Sequence, residues 1–284
     1  ACRSRDELHR AIDDYPLNLS PPDDDSPYFF NMLRLNKYRK LRQSFTWTVR
    51  GNLKATWILL ILVLCLAVAV AITIVLPLVL KTLGSKPGEL KQGIFYSSAA
   101  YFGLIGLGFM LVEIGLLQRT TTFLGHPVYA LGILLFTLIL STGIGSLLSE
   151  KLPLLRRPGV YIFPLAIVAV VLAARFAMPV VFGSMESASL GKRMIVCVAL
   201  LSPVGILLGL CYPTGMRLVE RGEASETPWY WALNGICGVF ASAVAVLISI
   251  YSGIATTLYA GAICYLLLLA VLPLMYGRAR EKTL

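Results

Sequence analysis

Residues Trp57 to Leu80 read WILLILVLCLAVAVAITIVLPLVL, a run without a single charged side chain. A helix needs about 20 apolar residues to cross a hydrocarbon core roughly 30 Å thick, so this run is long enough to span a bilayer. Six comparable stretches follow, at Tyr96 to Gln118, Pro127 to Leu148, Gly159 to Gly183, Met194 to Tyr212, Trp229 to Tyr251 and Ile254 to Tyr276. In lipid every backbone N–H and C=O must be paired internally, which leaves helices or a closed barrel. A barrel would show segments of about ten residues that alternate apolar and polar, and the sequence has none. The fold class is therefore all-α: a polytopic membrane helical bundle of seven transmembrane helices, preceded by a basic interfacial segment.

Composition agrees. Of 284 residues only 14% are charged, against about 25% in soluble domains, and mean hydropathy is +0.76. The formal net charge of +10 matches anionic headgroups rather than nucleic acid, because it sits on an apolar chain. The bilayer is the partner this composition implies; nucleic acid is not. The six cysteines include no CxxC pair and the two histidines, His9 and His126, are far apart, so no metal or redox centre is expected.

The chain divides in three. Residues 1–27 are polar, with Asp13-Asp14 and Asp23-Asp24-Asp25 among prolines, and read as a tail or the end of an upstream soluble domain. The chain opens on Ala1 without a signal sequence, as a fragment or processed product would. Residues 28–55 form a basic amphipathic juxtamembrane segment in which Arg34, Lys37, Arg39, Lys40 and Arg42 are interleaved with aromatic and aliphatic side chains, a pattern suited to lipid headgroups. Residues 56–284 are the seven-helix membrane domain. Pro203 should kink the fifth span, and Tyr251-Ser252-Gly253 should fold the last two into a hairpin. Lys and Arg divide eleven against nine between the two sides, so charge bias assigns no orientation.

Ionisable residues within the spans are the candidates for function, since each costs on the order of 3 kcal/mol to place in lipid. Glu113 and Arg175 fall at similar depths in the second and fourth spans and are expected to pair if those helices are adjacent. Gln118, Arg119 and His126 lie on the same side, so Glu113, Arg175, Gln118, Arg119 and His126 form one candidate intramembrane polar site. It would hold a headgroup, a substrate or a proton relay, or simply an ion pair that fixes packing. A solitary His126 beside Pro127 is a weak candidate to ligate a haem. Asp23 to Asp25 read as a solvated turn. Asn234 is expected about 18 Å from Glu113 in depth, too far to share a site. With Gly145 and Gly238 it is assigned to helix–helix contact, where small and polar residues act in membranes.

Several motifs resemble a known family. Gly106-Leu107-Gly108-Phe109-Met110-Leu111-Val112-Glu113-Ile114, then Gln118, then Leu124-Gly125-His126-Pro127-Val128-Tyr129, then Gly143-Ile144-Gly145-Ser146, is similar to the C-terminal membrane half of bacterial multispan spermidine synthase-like proteins. Asp24-Asp25-Ser26-Pro27-Tyr28-Phe29-Phe30 is similar to the sequence closing that family's soluble domain, with Ser26 where Arg is usual; Pro213-Thr214-Gly215-Met216-Arg217 and Trp231-Ala232-Leu233-Asn234-Gly235 also fit. The resemblance implies a bacterial inner-membrane location and an upstream transferase domain using S-adenosylmethionine or its decarboxylated form. No catalytic residue and no cofactor site are legible in this chain itself: the glycines of Gly106-Leu107-Gly108 lie inside an apolar span, not at a strand-to-helix turn. The function expected is anchorage of that domain, with presentation of a membrane-associated substrate to it. The alternatives are a non-catalytic subunit of a larger membrane complex, held to other subunits by small-residue faces, and a transporter of a cationic or amphipathic solute with Glu113 as counter-ion.

Overall fold

The computed structural model describes residues 21–28, 47–77, 92–154, 159–220 and 227–281. Arg34, Lys37, Arg39, Lys40 and Arg42, the expected headgroup contacts, lie outside them, as does most of the 1–27 segment. Among the described residues eight α-helices occur in order: α1 Trp47–Val70, continued by a π-helical turn Ala71–Val75; α2 Gln92–Leu124; α3 Pro127–Lys151; α4 Gly159–Ser184; α5 Leu190–Gly209; α6 Cys211–Glu220; α7 Thr227–Ser252; and α8 Ile254–Glu281. There is no strand among the described residues.

Seven stretches are long and apolar enough to cross a membrane: Lys54–Ile74, Tyr96–Leu124, Pro127–Lys151, Gly159–Ser184, Leu190–Val219, Pro228–Ser252 and Ile254–Met275. Their outer faces are apolar, with Val128, Val180 and Ile195 largely exposed. Exposed aliphatic surface on α1, α3, α4, α5, α7 and α8 is what lipid, not water, accommodates. The protein is an integral membrane helical bundle.

Three boundaries differ from the sequence reading. Residues 47–55, assigned to the juxtamembrane segment, are the first turns of α1, because nothing between Trp47 and Thr56 breaks a helix. The second span runs six residues beyond Gln118, carrying Arg119 to Leu124 within α2. The fifth span is also divided at Leu210, three residues before Pro213, a break the sequence reading did not place; Pro203, where a kink was expected, lies inside α5. Pro213 has no N–H to give the carbonyl of Gly209, and the helix restarts as α6.

Helix α2 is the centre. Over half of its most apolar window is buried (56%), against none of α1's (0%). Its two main neighbours are α7 and α8; α3 pairs with α5, α4 packs on α8 and α5, and α1 rests on α7. Glycines set these approaches. A side chain at Gly106 would enter Asn234, one at Gly108 would meet Tyr265 (2.9 Å), and one at Gly145 would strike the Ile206 carbonyl. Gly238 lies against Met110 (3.3 Å). Gly145 and Gly238 face neighbouring helices, and Asn234 packs against Gly106 with no side-chain hydrogen bond among the described residues. Close backbone approach is the main source of association where lipid tails remove any hydrophobic drive between helices.

Polar anchors hold the ends. Tyr101 donates from its hydroxyl to the Cys211 carbonyl (2.6 Å), and Arg217 donates from Nη2 to the Ser149 carbonyl (2.6 Å), tying α6 to α2 and α3. At the opposite side α7 and α8 form the expected hairpin. Gly253 takes φ +89° between them, and Ser249 and Thr257 share a buried hydrogen bond of 2.7 Å.

Candidate functional site

The charged residues gather at the membrane side where α2 ends and α8 begins, but not in the expected set. Arg119, 5% exposed, extends from α2 to the polar segment 21–28. Its Nη1 donates to the Asp24 carbonyl (2.9 Å) and its Nη2 forms an ion pair with Asp25 Oδ1. The same Oδ1 accepts from the backbone N–H of Ala255 (2.9 Å), and the Asp25 carbonyl accepts from that of Ile254 (2.8 Å). Asp25 therefore caps the first turn of α8 from a distant part of the chain. An N-terminal helix turn carries unpaired N–H groups and partial positive charge, which a carboxylate stabilises. Asp23 does form the local turn the sequence suggests, accepting from the N–H groups of Asp25 (3.1 Å) and Ser26 (2.6 Å). The turn aims the Asp25 carboxylate and the Asp24 carbonyl at Arg119, while Asp24 itself is exposed.

Beside this clamp is a cavity of about 240 Å³ whose lining includes Asp24, Arg119, Phe123, Phe182, Glu186 and Arg193. Phe123 and Phe182 stack face to face at 3.8 Å. Arg193 lies over Phe123 (5.5 Å), donates to its carbonyl (3.1 Å), and also bonds the Glu186 carbonyl. The buried Nε atoms of Arg119 and Arg193 have no hydrogen-bond partner among the described residues. Two guanidinium groups, two carboxylates and an aromatic wall at the membrane boundary can bind a small group carrying both charges. No group of three or more metal-ligating side chains occurs among the described residues.

The proposed Glu113–Arg175 pair does not form. The two helices are separated because α8 packs between α2 and α4, contacting both extensively. Arg175 instead lies over the rings of Phe176 (5.5 Å) and Tyr259 (5.7 Å), the latter on α8. Glu113, half-buried, has no ion-pair partner among the described residues. Gln118 is half-buried with its Oε1 unpartnered, while His126 is exposed at the start of α3, edge-on to Tyr129 (5.7 Å). Of the five residues expected together, only Arg119 lines the interfacial cavity. The depth separation also shrinks: Asn234 opposes Gly106, seven residues from Glu113, or ~10 Å along α2 rather than 18. Arg193 and Glu186 were the omissions. Glu186 lies in the short α4–α5 connection and Arg193 in the first turn of α5, where a charge next to a span boundary looks like ordinary headgroup contact.

No protein-family model matches the chain, and neither does any curated protein or solved structure.

Proposed function

We propose that this chain is the membrane domain of a spermidine synthase-like protein of the bacterial inner membrane, anchoring a soluble transferase domain that precedes it. The observation supporting this reading is the Asp25 clamp. Asp25 engages Arg119 of α2 and two N–H groups of α8, so the polar segment ahead of α1 is fastened to the bundle rather than trailing from it. A domain attached to that segment would be held beside the interfacial cavity of Asp24, Arg119, Glu186 and Arg193. Fixed position raises the encounter rate with a substrate in the bilayer without any new contact. Any S-adenosyl donor would bind the upstream domain, and this chain would contribute the docking face.

The test is to purify the protein from its own membrane, weigh the polypeptide by native mass spectrometry, and assay it with isotopically labelled S-adenosyl donors. A mass well above 31.0 kDa, with group transfer that falls when Asp25→Ala frees the segment, is the expected result. A chain near that mass that leaves a larger particle and shows no transfer would replace anchorage with the role of a non-catalytic subunit.

A further inference from the structure

A second cavity, of about 620 Å³, lies in the other half of the bundle, between α3 and α7 and above α2. It extends along α7 from Gly235 to Ser242, ~10 to 21 Å from the start of the apolar span at Pro228. That depth is within hydrocarbon. At its rim Ile139 and Val239 are 69% and 58% exposed, so the mouth faces sideways into lipid. Cavities of roughly 300–1,000 Å³ are the size that takes small ligands.

The glycines on the two walls separate packing from ligand space. Gly145 and Gly209, where α3 meets α5, cannot carry a side chain without striking backbone. Gly143 of α3 and Gly235 of α7 line the cavity, and a side chain at either would meet no atom within 4 Å. Helix packing does not require glycine at these two positions, and its absence of a side chain there leaves the cavity open.

The lining selects the occupant by charge and by hydrogen bonding. No Asp, Glu, Lys or Arg contributes to it, so neither a phosphate nor a carboxylate would find a counter-charge. Thr142 and Ser242 already donate to their own helices, at 2.7 Å to Leu138 and 2.8 Å to Val239, which leaves their oxygens as acceptors. Pro213 leaves the Gly209 carbonyl without its usual helical donor, and both residues line the cavity. Phe109, Met110 and Ile139 supply the apolar part. Asn234, which carries both a donor and an acceptor, and Tyr212, whose buried hydroxyl has no partner among the described residues, complete an uncharged lining that can both accept from and donate to a hydroxyl at the head of a hydrocarbon tail. We propose that this groove binds a neutral lipid alcohol, which enters laterally between α3 and α7.

The test uses the full chain in nanodiscs with a photoreactive long-chain alcohol and a photoreactive fatty acid of equal length, mapping the labelled peptides. The alcohol should label α3 and α7 groove peptides about tenfold above the acid, a factor worth ~1.4 kcal/mol. Gly143→Leu with Gly235→Leu should abolish this labelling. Gly132→Leu, equally unobstructed but outside the cavity, should leave it unchanged. If the double variant does not fold, Thr142→Val with Ser242→Ala removes two of the acceptors without adding bulk, and should reduce the alcohol's advantage. Equal labelling by the acid, labelling spread evenly over the exposed face of α1, persistence in folded filled variants, or cross-linking of a second copy through the groove would each overturn the proposal.

Discussion

Arg119 on α2 and Asp25 in the segment preceding α1 form an ion pair across 94 positions of sequence, and the arginine is almost fully buried. Their pairing joins the membrane bundle to a polar stretch that by composition belongs in water. Removing Asp25 strands a guanidinium; removing Arg119 leaves a carboxylate still bonded to the α8 backbone. Asp25→Asn should therefore destabilise by about 2 kcal/mol, between the exposed and buried limits for ion pairs, and Arg119→Met by less. Thermal unfolding in detergent of both single variants gives the comparison; a larger loss for Arg119→Met would reverse this assignment.

Gly253 is the second hold on that segment. Its φ of +89° is strained for any L side chain, and a Cβ there would also press on the Asp25 carboxylate. Gly253→Ala is expected to cost about 1–2 kcal/mol from the backbone alone. It should also expose residues 23–28 to protease in folded protein, and resistance equal to wild type would contradict the contact.

Gly145→Ala and Gly143→Ala make a matched pair two residues apart. The first drives a methyl into the Ile206 carbonyl, whereas the second meets nothing. Overpacking of this kind costs about 1–3 kcal/mol. Unfolding by denaturant should separate them by that amount, with Gly143→Ala indistinguishable from wild type.

Glu113 and Arg175 should be energetically independent. A double-mutant cycle with Glu113→Gln and Arg175→Met should give a coupling below about 0.5 kcal/mol, as for sites without a shared partner. Arg175 and Tyr259 should couple by about 1 kcal/mol through the cation–π contact, measured with Tyr259→Leu.

Tyr28, on the polar segment, is partly buried against the bundle, and that desolvation pushes its phenol up from 10.0 to about 12. The folded protein thus holds the proton more tightly than the unfolded chain. Its contribution to docking is complete below pH 10 and is lost between 10 and 12 as the pH rises. The difference in phenolate absorbance between wild type and Tyr28→Phe should titrate with a midpoint near 12; a midpoint at 10 would place the ring in solvent.

The seven spans were legible because uncharged runs such as Trp57 to Leu80 admit one reading in a bilayer. So was the α7–α8 turn, since Ser252-Gly253 offers the left-handed conformation a tight reversal needs. Neighbour order was not legible. A helix such as α2 is apolar all round, so no periodic stripe announces that α7 and α8, rather than α4, are its main neighbours. The candidate pair failed for that reason alone. Asp25 was hidden differently: the acidic, proline-rich sequence around it correctly signals a local turn, but a turn does not say what its free oxygens will meet. Arg193 and Arg217 bond backbone carbonyls, partners that leave no mark in a sequence of side chains.

The central helix has a consequence for how the protein is made. Helix α2 is synthesised well before its two main neighbours, α7 and α8, and α1 rests on α7. During synthesis the glycine faces of α2 and the carboxyl of Glu113 must wait in the membrane with more than a hundred residues still to come. Contacts so distant in sequence close slowly and leave partial chains vulnerable. Truncation within the final hairpin would therefore remove more than one edge of the bundle: the early helices would be left inserted but without a centre, as substrates for membrane quality control.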